Sequence, residues 1–212
     1  MTTFAPIRLT CPACGTNFKS LAVGSFGYAS KRSDLRPNYW GMNPVGMFYH
    51  LCPFCGFCGK YALFLRRLDH DVAEAVGKFG RLPEDVTLGE KIERAAVCLE
   101  KLVELGAVNA SDDAVAKEWL EAFWWAEDGD QRRRFGELAL AYFAKALNGG
   151  ELSRNDLLWY LYLTGEINRR LGRVEAAAEA FDRVVEETRG EKGFEVLRQL
   201  ARRQRDDPQD HL

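Results

Sequence analysis

The chain is poor in the residues and motifs that carry out chemistry. Of its 212 residues only three are histidine, His50, His70 and His211, so a nucleophile–histidine pair has few options. No glycine-rich phosphate loop, no H-E-x-x-H and no G-x-S-x-G occurs. The usual signatures of nucleotide hydrolysis, zinc proteolysis and serine hydrolysis are therefore missing, and no enzymatic activity is expected. No apolar run reaches the roughly 20 residues that a membrane-spanning helix needs, so no membrane partner is expected. The opening Met1-Thr2-Thr3-Phe4-Ala5-Pro6 has neither the basic start nor the apolar centre of a secretory signal, and the expected location is the cytoplasm. Acids are scarce at the start. Residues 1–68 hold eight bases against one acid, Asp34, which leaves 21 of the 29 bases and 30 of the 31 acids to the remainder. A basic segment followed by an acidic one can meet nucleic acid, or it can dock on its own acidic half.

Cysteine is what the first segment does have. Cys11-Pro12-Ala13-Cys14-Gly15 and Cys52-Pro53-Phe54-Cys55-Gly56 repeat one C-P-x-C-G knuckle. The proline fixes the backbone ahead of the turn, and the glycine supplies the left-handed residue that lets amides face the thiolates. Two knuckles give four sulfurs, which is the ligand set of a closed, structural zinc site. One structural Zn²⁺ held by Cys11, Cys14, Cys52 and Cys55 is the expected cofactor. Cys58 extends the second pair to C-x-x-C-x-x-C. It is either a small buried residue or an alternative ligand, and an iron–sulfur cluster is disfavoured because no cysteine-proline follows. His50, two residues before Cys52, could stand behind the metal ligands or reach the metal itself. Cys98 falls on the apolar face of a helix and reads as core.

The long stretch between the knuckles offers the candidate binding residues Lys31, Arg32, Asp34, Arg36, Tyr39, Trp40 and Asn43. The bases could grip phosphate while Tyr28, Tyr39 and Trp40 stack on bases of single-stranded nucleic acid. Alternatively, Asp34 anchors the loop by accepting backbone amides and the aromatics build the core of the small module. A catalytic site there would use Asp34 and His50. Arg132-Arg133-Arg134, beside Glu127, Asp128 and Asp130, reads as a solvated charge cluster.

Short strands and turns are expected up to Leu68, including Asn17–Val23, Phe48–Leu51 and Tyr61–Leu65. Beyond Asp69 the periodicity becomes helical. Thr87-Leu88-Gly89-Glu90 is a capping-box sequence, and Gly106 closes the helix it opens. Further helices are expected from Ser111 or Asp112 to Asp128, Gln131 to Leu147, Asn155 to Leu171, Val174 to Thr188 and Phe194 to Leu200. Ala139, Phe143 and Ala146 recur 38 residues later as Ala177, Phe181 and Val184. That small–large–small spacing suits the packed second helix of a tetratricopeptide-like hairpin, and Gly165 suits a close helix crossing.

With these residues in view, the chain resembles the bacterial family known as domain of unknown function 2225. The resemblance rests on the two knuckles, on Lys31-Arg32-Ser33-Asp34 and Asn43-Pro44, and on Ala122-Phe123-Trp124-Trp125 and Gly165-Glu166-Ile167-Asn168-Arg169-Arg170-Leu171-Gly172. It implies a paired-knuckle zinc module joined to tetratricopeptide-like helices, and it implies no reaction. The expected fold is α+β and mostly α. A zinc-ribbon-like β module (residues 1–68) precedes a tetratricopeptide-like helical array (residues 69–200) and a frayed tail (residues 201–212). The expected function is that of an interaction or adaptor protein whose helical-repeat surface binds a protein partner. Nucleic-acid binding through the basic module is the alternative, followed by an enzyme with its site in residues 24–50.

Overall fold

The computed structural model describes residues 2–83, 85–150 and 152–211. It begins with two hairpins whose turns are the knuckles. Strand β1 (Thr3–Thr10) pairs antiparallel with β2 (Asn17–Ser25), and β5 (Tyr49–Leu51) pairs antiparallel with β6 (Cys58–Lys60). Between them lie β3 (Tyr28–Lys31), its antiparallel partner β4 (Pro37–Tyr39), and the single turn α1 (Val45–Phe48). The turn α2 (Tyr61–Phe64) follows β6, then α3 (His70–Gly77), α4 (Leu88–Glu104), α5 (Asp112–Trp124), α6 (Gly129–Gly149), α7 (Arg154–Arg170), α8 (Val174–Glu187) and α9 (Glu195–Asp206). The fold is α+β and mostly α.

Local chemistry explains the starts of three of the long helices, α4, α6 and α7. Thr87 Oγ1 accepts from the Glu90 amide at 3.3 Å while Glu90 returns a bond to the Thr87 amide at 2.9 Å, so both halves of the capping box form. Ser153 and Asp128 cap α7 and α6 through their side-chain oxygens. Helix α5 packs on α6 and α7 packs on α8. The six repeat-spaced residues, Ala139, Phe143, Ala146, Ala177, Phe181 and Val184, are all buried. At Gly165 a Cβ would stand 2.5 Å from the Phe181 ring, so α7 and α8 approach as closely as they do only because that position is glycine.

Three expectations are corrected. Residues 61–64, expected as a strand, form α2, and the strand leaving the knuckle is the shorter β6. The helical turn swings Phe64 back onto Phe57, Phe18 and His50, with ring centroids 5.3, 5.7 and 5.7 Å away. The strand expected from Phe48 starts only at Tyr49, because Phe48 closes α1. The tail does not fray at Arg202. Helix α9 continues to Asp206, and the chain then folds back so that the Ser33 amide donates to the Asp210 carbonyl at 3.1 Å.

One core cluster runs through both parts. It holds Leu9, Phe18, Tyr49 and Phe57 from the knuckle region together with Ile92, Ala96, Cys98 and Leu102 from α4. The apolar face of α4 therefore lies against the small module as well as against α5. No helix among the described residues is long and apolar enough to cross a membrane.

Candidate metal centre and module junction

The two knuckles fold alike. In the first, the Gly15 amide donates to Cys11 O at 2.9 Å and the Cys11 amide to Thr16 O at 3.0 Å; in the second, Gly56 donates to Cys52 O at 3.1 Å and Cys52 to Phe57 O at 2.8 Å. Both glycines are left-handed, with φ of 71° and 76°. The result brings the Sγ atoms of Cys11, Cys14, Cys52 and Cys55 all within 4.8 Å of one another. Cys11 lies 3.6 Å from Cys55 and Cys14 lies 3.7 Å from Cys52. Four sulfurs around one tetrahedral ion with bonds of about 2.3 Å would stand about 3.8 Å apart, so the group has the dimensions of a four-thiolate site. Burial pushes the Cys55 thiol up to about 12 and Cys11 higher still. A cation is what makes such buried sulfurs acceptable as thiolates. The four cysteines thus form a group that can hold a metal ion and is compatible with one structural zinc.

Cys58 and His50 lie elsewhere. The Cys58 thiol points to the Lys91 carbonyl at 3.4 Å, and its amide donates to Cys98 Sγ at 3.5 Å, which ties β6 to α4. Cys98 is core, as its helical spacing predicts. His50 Nδ1 is 2.8 Å from Ser20 Oγ, and its ring packs edge-on against Tyr61 and Phe64. The residues suggested for a catalytic site are also apart. Asp34 and His50 line different cavities, and the Asn43 side chain accepts from the Val45 amide at 3.1 Å, closing the turn into α1.

The long loop is pinned to the helices through Ser33 and Asp34, both almost completely buried. Asp34 accepts from the Arg36 amide at 3.3 Å, the loop-closing role expected of it. Its other oxygen lies 2.9 Å from Arg170 Nε and 3.3 Å from Arg32 Nη2. Ser33 Oγ donates to Glu166 at 2.8 Å and accepts from Arg170 and Arg169 at 2.9 and 3.2 Å. Tyr162 donates to the Ser33 carbonyl at 3.0 Å. The module therefore docks on the helices with its one acid placed against helical arginines, the opposite polarity to a basic module resting on helical carboxylates. Its bases find other partners. Arg36 donates to the Trp124 carbonyl at 2.9 Å and lies over the Trp125 ring at 4.8 Å, while Lys31 lies over Tyr28 at 5.5 Å. Lys60 with Glu118 is the conventional pair.

Sequence reading missed Glu166, Arg169, Arg170, Arg132 and Asp210 as one neighbourhood. A signal was available in Glu166, which stands four residues after Tyr162 on a buried helix face, where an unpaired acid would be costly. The aromatics divide. Tyr39 packs on Phe26 at 5.9 Å, whereas Trp40 is 59% exposed. A mostly apolar groove of about 780 Å³ opens on the small module, lined by Ala22, Val23, Phe26, Met47, Phe48 and Tyr61, with the Phe26 and Phe48 rings in edge-to-face contact at 5.2 Å.

The chain belongs to the family described as uncharacterized protein conserved in bacteria, domain of unknown function 2225, whose model matches residues 7–207. No curated protein and no solved structure matches it.

Proposed function

We propose that the chain is a zinc-stabilised interaction protein whose contact surface is the apolar groove of the metal module. The ion is one structural zinc held by Cys11, Cys14, Cys52 and Cys55. Four thiolates leave no open position for water, so the metal shapes the surface and does no chemistry. The groove carries this reading. Phe26 and Tyr61 both line it, 50% and 49% exposed. Large rings held half in water around a concave apolar surface mark a contact site. The wall at Ala22, Val23 and Gly24 is strand β2, whose strand partner among the described residues is β1 alone. An extended segment of a partner protein can add along that strand, with backbone hydrogen bonds for affinity and alternate apolar side chains seated in the groove for specificity.

The helical array, read as tetratricopeptide-like from its repeat spacing, then acts as the scaffold that carries the groove. Nucleic-acid binding by Lys31, Arg32 and Arg36 has less support, because Arg32 and Arg36 are engaged inside the protein and Lys31 rests on Tyr28. An enzymatic reading has less support as well, because Asp34 and His50 face different cavities.

Selection of short random peptides displayed against the metal-loaded full chain tests the reading. Enriched peptides should alternate apolar and polar residues and should lose binding to Phe26→Glu, with far-ultraviolet dichroism confirming that the variant, which gives up ring contacts with Tyr39 and Phe48, is still folded. An empty selection, or peptides that bind Phe26→Glu equally well, would overturn it.

A further inference from the structure

A second cavity, separate from the groove, lies where the long loop meets the helices. It is a polar cleft of about 380 Å³, lined by Arg32 from the loop, Trp124 at the end of α5, Arg132 in the first turn of α6, Arg169 and Arg170 at the end of α7, and Asp210 from the C-terminal segment. Counting Arg36 and the buried acids Asp34 and Glu166, five guanidiniums meet three carboxylates.

The three acids are not equivalent. Asp34 and Glu166 are 1% and 0% exposed and are each already bound within the junction. Asp210 has a side chain 60% exposed and sits on the short segment after α9. One of its oxygens, Oδ1, is 2.8 Å from Arg169 Nη2 and 3.3 Å from Arg170 Nη1. Two guanidiniums converging on one oxygen is how proteins hold carboxylate or phosphate. The Arg169 hydrogen bond first, and the Arg170 charge after it, keep the Asp210 carboxyl below its ordinary range.

Positive charge remains in excess even with Asp210 in place. Arg132 has no ion-pair partner among the described residues, and it sits at the positive end of the α6 dipole, where a cation is disfavoured. Three residues of the lining also carry buried donors that lack an acceptor, Arg32 Nε, Trp124 Nε1 and Arg170 Nε. Arg170 Nε is close to Asp34 but is not aligned on it as a hydrogen bond. Buried donors without acceptors are costly and few in folded proteins. An oxyanion carrying two charges and several acceptor oxygens answers the charge excess, and it meets such donors where displacement of Asp210 uncovers them.

We propose that this cleft binds the phosphate group of a small phosphate monoester, with Asp210 as an internal carboxylate that the ligand displaces. Arg132, Arg169 and Arg170 would hold the phosphate, and the Trp124 side would take the organic part. The cleft is larger than phosphate alone requires and falls in the size range of small-molecule sites, about 300–1,000 Å³. Its place behind the C-terminal segment favours a terminal phosphate over the backbone of a nucleic acid.

The test is isothermal titration of the metal-loaded full chain with phenyl phosphate, with inorganic phosphate and with sodium chloride at matched ionic strength. An oligonucleotide lacking terminal phosphates is the fourth titrant. Saturable binding of phenyl phosphate is expected. Arg132→Ala should weaken it about tenfold or more, the usual effect of losing one charged hydrogen bond, while the unfolding temperature stays that of the parent. Asp210→Asn should tighten it severalfold by removing the competing charge. No binding beyond the chloride control, equal binding by Arg132→Ala, or equal or tighter binding of the oligonucleotide would overturn the site. Unchanged or weaker affinity in Asp210→Asn would overturn displacement by the ligand.

Discussion

Replacing Asp34 by asparagine should be among the most damaging conservative changes in this chain. The substitution preserves shape and removes one charge from a position 1% exposed. Arg170, whose side chain is only 10% exposed, then loses its nearest carboxylate, the Asp34 oxygen 2.9 Å from its Nε. Stripping one partner from a buried ion pair costs about 3–5 kcal/mol, because the remaining charge stays buried without compensation. The low end applies here, since Glu166 Oε2 still lies 3.5 Å from the same nitrogen and an amide oxygen can still accept from the Arg36 amide. We expect a loss of about 3 kcal/mol, which in a chain of this length lowers the melting temperature by about 6–12 °C. Urea unfolding of the metal-loaded protein, followed by far-ultraviolet dichroism, measures it. The discriminating variant is Asp34→Asn combined with Arg170→Met, which removes the stranded cation. The pair should cost less than the sum of the single changes, with a coupling of about 1–3 kcal/mol. Additivity within about 0.5 kcal/mol, or a loss below about 1 kcal/mol for Asp34→Asn alone, would refute the view that this pair joins the two parts.

Removing the metal with a chelator should disturb more than residues 1–68. Because α4 shares its core with the module, the near-ultraviolet dichroism of buried Trp119 should change, and an unaltered Trp119 signal would mean the helices fold independently. Gly165→Ala should cost about 1–3 kcal/mol by urea unfolding, since its new methyl meets the Phe181 ring, and Phe181→Leu in the same chain should recover part of the loss. Burial, with a smaller contribution from Glu118 and against the pull of Lys60, raises Glu121 from its ordinary 4.5 to about 7. The folded state therefore binds this proton more tightly than the unfolded chain does, so the stability it contributes is present at low pH and is lost as pH rises from about 4.5 to about 7. Glu121→Gln should flatten that decline and leave the protein about 1–3 kcal/mol more stable above the titration, as read from urea midpoints across pH.

The features legible in the sequence were those whose physics is local. A knuckle needs only proline, two cysteines and glycine within five positions, and a capping box needs only Thr87 and Glu90. Both have the hydrogen bonds that their sequence implies. The family resemblance was legible for the same reason. The strand β1 was not anticipated, because Thr3–Thr10 carries Pro6 and Arg8 and takes its shape from pairing with β2. Helix α2 was read as a strand because four residues carry too little periodicity to separate the two, and burial of Phe64 decides the outcome. The junction was illegible in a stronger sense. Residues 32–36, 124, 132, 166–170 and 210 meet only after the chain has folded, and a count of charges by segment predicts the wrong polarity for their contact. Eight bases to one acid suggests a basic face on an acidic scaffold, yet the single acid makes the decisive contact.

That single acid also explains how so long a loop stays ordered. The 37 residues between Cys14 and Cys52 would form a costly closed loop if held only at their ends. The cysteine cluster fixes both ends by joining the tips of the β1–β2 and β5–β6 hairpins. Ser33 and Asp34 fix the middle on α7, which divides one long loop into two short ones. The first of these carries Phe26 and the second carries Met47 and Phe48 to the groove. A surface built this way needs little regular structure of its own. Its shape is set by the cysteine cluster at its ends and an ion pair at its centre, so weakening either anchor should loosen the same aromatic lining.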